Sequence, residues 1–236
     1  FYGVKFGKGE NMEKSNKLVD TSLQGFKRLR SHTSFEVGTL ATDTECVVGE
    51  NGKKSLLEAS VIEPETMKDV FTTTVKQEDG FKLPEYKVNE LGYSEEELKF
   101  SPTLDEVCEI LKRIVKGNIL IGYNITYDLK WFPQLKHYAY AIRDVMHRYS
   151  SSYGPWNPDW GDRSWVSLQD AAKATGFVLE ADETFHRART DARACAHVWN
   201  YCEEKDLPKA EIQNDLILRK SAEGMFQKVV NNPAPF

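Results

Sequence analysis

No stretch of this sequence is apolar over the roughly 20 residues that a membrane span needs. Cysteine is scarce. The four residues Cys46, Cys108, Cys195 and Cys202 include no C-x-x-C pair. That excludes a zinc framework and a disulfide scaffold. Three of them sit in apolar segments, so reduced core cysteines of an intracellular, cytoplasmic protein are expected. An excess of positive charge is also missing. Lys and Arg number 31 against 36 Asp and Glu, a net charge of −5, so the chain does not advertise the basic surface of a general nucleic-acid binder. The acidity does not exclude phosphate ligands, because carboxylates gathered around cations stop repelling phosphate once the cations are bound. No secretory leader and no internal repeat are recognisable. The first residue is Phe1, so processing, or cutting from a longer chain, is expected.

What is present suits a globular protein. The chain has 236 residues, 28% charged and 40% hydrophobic, enough for one large domain or a domain with extensions. Residues 1–34 are basic, with Leu18, Val19, Leu23, Phe26 and Leu29 at roughly helical spacing. They read as an N-terminal helical extension. Three strand-like segments follow, "FEVGTLATDTE" (35–45), "KSLLEASVIE" (54–63) and "VFTTTVKQ" (70–77). The short turn "GENGKK" favours an antiparallel arrangement. "SPTLDEVCEILKRIVKG" (101–117) reads as a helix and "NILIGYN" (118–124) as a buried strand. "ITYDLKWFPQL" (125–135) reads as a short helix that Pro133 ends or kinks. "YAIRDVMHRY" suits strand then helix, and "SLQDAAKATG" (167–176) is a helix opened by Ser167 and closed by Gly176. A last helix begins after residue 187. Residues 206–236 read as a C-terminal helical extension. Strands first, then alternating helices and strands, predict an α/β domain over 35–205, with a mixed sheet and helices on both faces.

Several carboxylates point the wrong way for solvent. Asp43 and Glu45 are two apart on the first strand, so they share a face about 6.6 Å apart along the backbone. Asp128 falls inside the apolar stripe of Ile125, Leu129 and Phe132, one turn after Asn124. In the last helix Ala188, Ala192, Cys195, Val198, Trp199 and Cys202 form the inward stripe, and Asp191 lies within it. A lone buried Asp is readily explained by a salt bridge. Three elements that each direct carboxylate inward are better explained by a shared cation, since unpaired buried carboxylates are costly. Four converging oxygen ligands suit hard divalent cations, Mg²⁺ or Mn²⁺. Two such ions can clamp the attacking and leaving oxygens of a phosphodiester. His186, five residues ahead of Asp191, can take a proton as a neutral imidazole.

These motifs resemble the DEDDh, or DnaQ-like, 3′→5′ exonucleases. The first motif is "TDTE" with Asp43 and Glu45, the second "GYNITYDLKWF" with Asn124 and Asp128, and the third "HRARTDA" with His186 and Asp191. The five-residue spacing in the third motif marks the His subclass. "LPEYKVNELGYSEEELKFSPTLDEV" (83–107) is similar to the family's connecting region, and the resemblance covers residues 35 to 205. It implies a ribonuclease H-like five-stranded sheet and two divalent ions. Asp43 would be shared by both ions, Glu45 and Asp191 would hold the water-activating one, and Asp128 the other. His186 would be the general base. The implied substrate is a single-stranded 3′ end of DNA or RNA, cut to nucleoside 5′-monophosphates. Thr44, Cys46, Val47 and Asn124 would lie against it. Many members carry Thr-Thr-Gly or Ala-Thr-Gly after the first motif, whereas this chain has Cys46-Val47-Val48-Gly49.

Three further expectations concern substrate and partners. Trp156 and Trp160, in the aromatic segment 149–165, could stack on the bases of a single strand, or could simply pack that segment onto the domain. Arg187, beside His186, could meet a phosphate. Arg189 and Arg193, about 160° from Asp191 around the helix, are expected to be solvated or structural. The terminal extensions could bind a protein partner. A proofreading module associated with a polymerase, or a binding module with weak chemistry, is the alternative function.

Overall fold

The computed structural model describes residues 37–49 and 52–208. The helices expected over 1–34 and beyond 208 lie outside the described residues. Five strands form one sheet: β1 (Thr39–Val48), β2 (Lys54–Glu63), β3 (Lys68–Thr74), β4 (Ile119–Gly122) and β5 (Ala141–Asp144), in the order β3-β2-β1-β4-β5. The first three pair antiparallel, while β4 and β5 run parallel to β1. Short connections force the antiparallel half, and the long crossover before β4 permits the parallel half. That crossover carries α1 (Glu85–Asn89), α2 (Glu95–Phe100) and α3 (Leu104–Val115). Thr103 and Glu106 close a reciprocal cap at the start of α3.

After β5 come α4 (Val145–Tyr153), a small hairpin of β6 (Trp156–Asn157) and β7 (Asp162–Arg163), α5 (Leu168–Thr175) and α6 (Ala188–Glu204). Ser167 caps α5, and Gly176 ends it at φ 87°, a left-handed conformation that glycine adopts without strain. The aromatic segment is therefore part helix and part hairpin.

The short helix expected over 125–135 is replaced by two 3-10 turns, Asp128–Lys130 and Pro133–His137. Pro133 has no N–H and its ring opposes the carbonyl of Leu129, so an α-helix cannot run through. The inward stripe survives, with Ile125, Leu129 and Phe132 all buried.

The core lies on both sides of the sheet. Ala41, Ile62 and Ile121 pack against Ala192, Cys195, Val198 and Cys202 of α6. Alanine and cysteine on this stripe let the helix approach β1 closely. Leu40, Leu120 and Ile142 point to the opposite face and are also buried, so neither face is left to solvent. All four cysteines are free thiols, three of them buried and Cys46 half-buried. No helix among the described residues is long and apolar enough to cross a membrane.

Candidate active site

The site forms where β1 outruns its neighbour. β4 pairs with β1 only from Thr39 to Ala41, so the edge of β1 beyond Ala41 is open on that side. The chain leaving β4 folds back into this gap. Gly122 permits the turn, since a Cβ there would lie 2.9 Å from the Ile125 side chain. Asn124 takes φ 64°, and the Asp144 carboxylate accepts the backbone N–H groups of Asn124 and Ile125. Asp128 then lands beside β1, where the Thr44 hydroxyl donates to it at 2.6 Å.

Asp43 and Glu45 lie on the face of β1 that α6 covers. Their cross-strand partners on β2 are Ser60 and Glu58, which share that face. The register then slips between Glu45 and Cys46, a bulge that re-aims the strand as it leaves the site. From α6, Asp191 reaches the same place. Its carboxylate accepts the backbone N–H of His186 at 3.3 Å. One ligand atom each from Glu45, His186 and Asp191 lie within 4.8 Å of one another. His186 Nδ1 is 4.0 Å from Glu45 Oε1, and its side chain is 66% exposed. Gln169 of α5 meets its other ring nitrogen at 3.2 Å.

The electrostatics of this cluster are unfavourable as it stands. Burial, then Asp128, Asp191 and Glu45, push the Asp43 carboxyl well above its ordinary value. Burial pushes Asp128 up to about 7, against the Thr44 hydroxyl, which pulls it down. Burial and Glu45 push Asp191 up to about 7. Glu45 is raised by burial and moderated by Lys87. Among the described residues Lys87 is the one buried lysine: its side chain is 4% exposed and its Nζ is 3.1 Å from Glu45 Oε2. Among the described residues, no Lys or Arg forms an ion pair with Asp43, Asp128 or Asp191. The donor set is therefore anionic, oxygen-rich and short of positive charge, which fits a hard divalent cation.

A pH dependence follows. A carboxyl raised on folding binds its proton more tightly in the folded chain, so stability falls as pH rises and recovers as pH drops from above 7 towards the ordinary carboxylate range. In EDTA the melting temperature is expected to rise from about pH 8 to about pH 6, and to rise less in Asp128→Asn. Identical slopes in the two proteins, measured by calorimetry, would contradict the raised Asp128.

The remaining candidates divide. Thr44 is buried and holds Asp128, so its side chain is turned away from solvent. Cys46 Sγ sits 2.9 Å from the Tyr127 hydroxyl. Val47 packs in a small cluster with Leu57, Leu83, Tyr93 and Leu98. Both side chains thus have protein partners. Asn124 is exposed, and its Oδ1 accepts the Thr126 hydroxyl at 3.0 Å. Trp156 and Trp160 are 63% and 70% exposed, which corrects the alternative that these rings pack the segment onto the domain.

Arg187 also departs from expectation. Its fork is committed to Glu58, at 2.9 Å through Nε, and to the Leu91 carbonyl. Glu58, 3% exposed, also accepts the Tyr93 hydroxyl and the Ala188 N–H at the start of α6. Arg187 thereby docks the third motif onto β2. Glu58, Lys87, Asp144 and Gln169 were not singled out in the sequence. Glu58 left a signal there, as an acid interrupting the apolar run "SLLEASVIE". Lys87 left none.

Comparison with known proteins bears on the sequence and the fold. No family model matches the chain. It is 28% identical over 162 residues to RNA exonuclease 4 of Mycosarcoma maydis, covering 68% of this chain and 41% of that protein. The chain thus spans about two fifths of that relative's length. Among solved structures it is similar to the nuclease domain of 3′hExo, a DEDDh family member bound to rAMP. That match has a TM-score of 0.53 and 15% identity over 76% of this chain and 99% of that one. It is also similar to E. coli exonuclease I in complex with a dA16 oligonucleotide, with a TM-score of 0.52 and 15% identity over 72% of this chain and 41% of that one.

Proposed function

We propose that this chain, which has the ribonuclease H-like fold of DEDDh 3′-exonucleases, is itself a divalent-metal-dependent 3′→5′ exonuclease acting on single-stranded DNA or RNA. The observation that carries the reading is the convergence of Asp43, Glu45, Asp128 and Asp191 from three separate elements, with His186 at the rim. The likeness to an RNA exonuclease and to nucleases bound to rAMP and dA16 supports it.

The residues have distinct tasks. Asp43, Glu45, Asp128 and Asp191 would hold two ions, Mg²⁺ or Mn²⁺. When bound, such ions supply the positive charge that stabilises the transition state and make water acidic enough to attack at neutral pH. Thr44 orients Asp128 and Lys87 orients Glu45, each by a direct hydrogen bond. His186, solvent-exposed and turned by Gln169, accepts the proton of the attacking water at a ring nitrogen. The product is a nucleoside 5′-monophosphate and a chain shorter by one. Asn124, exposed beside the open edge of β1, would lie against the terminal nucleotide, whereas the side chains of Cys46 and Val47 are engaged by the protein.

The exposed Trp156 and Trp160 stack on bases further along the strand, since every base offers a π-face. Replacing either by Ala is expected to raise KM roughly 10-fold, from a stacking contribution of about 1–3 kcal/mol, with the melting temperature unchanged. An unchanged KM in both variants removes the tryptophans from the substrate path.

The experiment that tests the reading is digestion of 5′-labelled single-stranded DNA and RNA of one sequence, with Mg²⁺, Mn²⁺ or EDTA. A ladder shrinking from the 3′ end, absent in EDTA, is the expected result. No cleavage of either polymer in any metal would refute the reading.

A further inference from the structure

His186 stands on a segment without regular structure, and its N–H is accepted by the Asp191 carboxylate. Residues 177–187 link α5 to α6 with no helix or strand of their own. His186 takes φ 69°, a conformation that a non-glycine residue keeps only when its surroundings impose it. Its ring is mostly in solvent and has one close hydrogen-bond neighbour, Gln169. The position of the imidazole is therefore set by the backbone on either side. Downstream, Arg187 is tied to Glu58. Upstream, Phe185 packs on the core and Glu183 supplies the polar tie.

Glu183 is unusual for such a segment. Its side chain is 2% exposed, although its neighbours Asp182 and Thr184 are exposed. A carboxylate buried in a loop needs charged partners. It has two, both from α6: Arg189 at 3.1 Å, and Arg193 in closer contact. Its second oxygen accepts the Glu180 backbone N–H at 2.9 Å. Arg189 and Arg193 are four apart, so they form one row on the helix that carries Asp191. Arg193 is held in turn by Glu180 at 2.6 Å, and Arg189 by Asp69 of β3 at 2.9 Å. The loop upstream of His186 is thus clamped to the same rigid helix as a carboxylate of the site.

We propose that Glu183, through Arg189 and Arg193, is a positioning residue that fixes His186 over the carboxylate cluster. The proposal rests on the exonuclease reading above. Glu183 touches no reacting group; it sets where the base stands. Phe177 and Phe185 pack on the core and on each other at 6.4 Å. Both arginines keep a second carboxylate partner when Glu183 is neutral, so Glu183→Gln is expected to fold.

Two measurements on the full chain test this. With 5′-labelled single-stranded substrate and Mn²⁺, Glu183→Gln is expected to lower kcat by roughly 10–10²-fold, as misplacement of a catalytic group by about 1 Å does, while KM stays within about twofold. Glu183→Gln combined with Arg193→Gln should be no slower than Glu183→Gln alone, because one clamp is broken only once. Amide hydrogen exchange should rise within residues 180–187 and stay unchanged through α6. An unchanged kcat, or a change in KM alone, overturns the proposal. So does faster exchange throughout α6, which would make Glu183 a residue of the fold at large. If the parent protein cuts neither DNA nor RNA, the exonuclease reading fails by itself. Exchange in 180–187 then decides whether Glu183 holds the segment.

Discussion

Asp43→Ala is expected to leave no measurable exonuclease activity while the protein remains folded. Asp43 lies at the centre of the cluster: Asp128, Asp191, Glu45 and Glu58 all act on it electrostatically. In the proposed function Asp43 serves both ions and its removal costs both, so the fall should exceed the roughly 10²–10³-fold that deleting one oxyanion donor costs. The same change relieves crowding in the metal-free protein, because a carboxyl raised by burial and like charge opposes folding. The melting temperature of Asp43→Ala in EDTA should therefore equal or exceed that of the parent, and the stabilisation by added Mn²⁺ should vanish with the site. The two readouts together separate a metal site from a buried salt bridge. A variant that kept most of its activity would show that the site is elsewhere. A sharply lower metal-free melting temperature would show that the Asp43 carboxylate stabilises the fold, which the raised carboxyl does not allow.

His186→Ala is the second large effect, and its signature differs. In its proposed role as general base, its loss costs on the order of 10²–10⁴-fold in rate. The four carboxylates remain, so Mn²⁺ should still raise the melting temperature and the substrate should still bind. Residual activity should yield the same mononucleotide product. The backbone N–H of residue 186 would still reach Asp191, since that hydrogen bond belongs to the main chain. If His186→Ala abolished the Mn²⁺-induced stabilisation, the imidazole would be a ligand and not the base. The proximity of Glu45, His186 and Asp191 ligand atoms makes that a real alternative outcome.

Sequence periodicity located the inward carboxylates because the relevant rules are local. Alternation along β1 put Asp43 and Glu45 on one face, and helical spacing put Asp191 in the stripe of Ala188, Ala192 and Cys195. Asp128 turns inward although the helix expected around it does not form. A single turn is enough to bring Ile125 and Leu129 inward together, and Pro133 breaks the chain only afterwards. The arginines of the third motif were harder. Arg193 points away from the inward stripe, yet its side chain is only 12% exposed, because the loop before α6 folds back over it. No periodicity within α6 reports a loop that covers it.

The sequence by itself determined the strands of the sheet, the helices over 101–117 and 167–176 and after residue 187, and which carboxylates turn inward, since each depends on residues within one element. The tertiary structure alone decided who meets them. Lys87 pairs with Glu45 across 42 positions, Thr44 with Asp128 across 84, and Arg187 with Glu58 across 129. Such pairs arise from the order of strands in the sheet and from the open edge of β1 beyond Ala41. A charge leaves no local mark of the partner that chain topology brings to it.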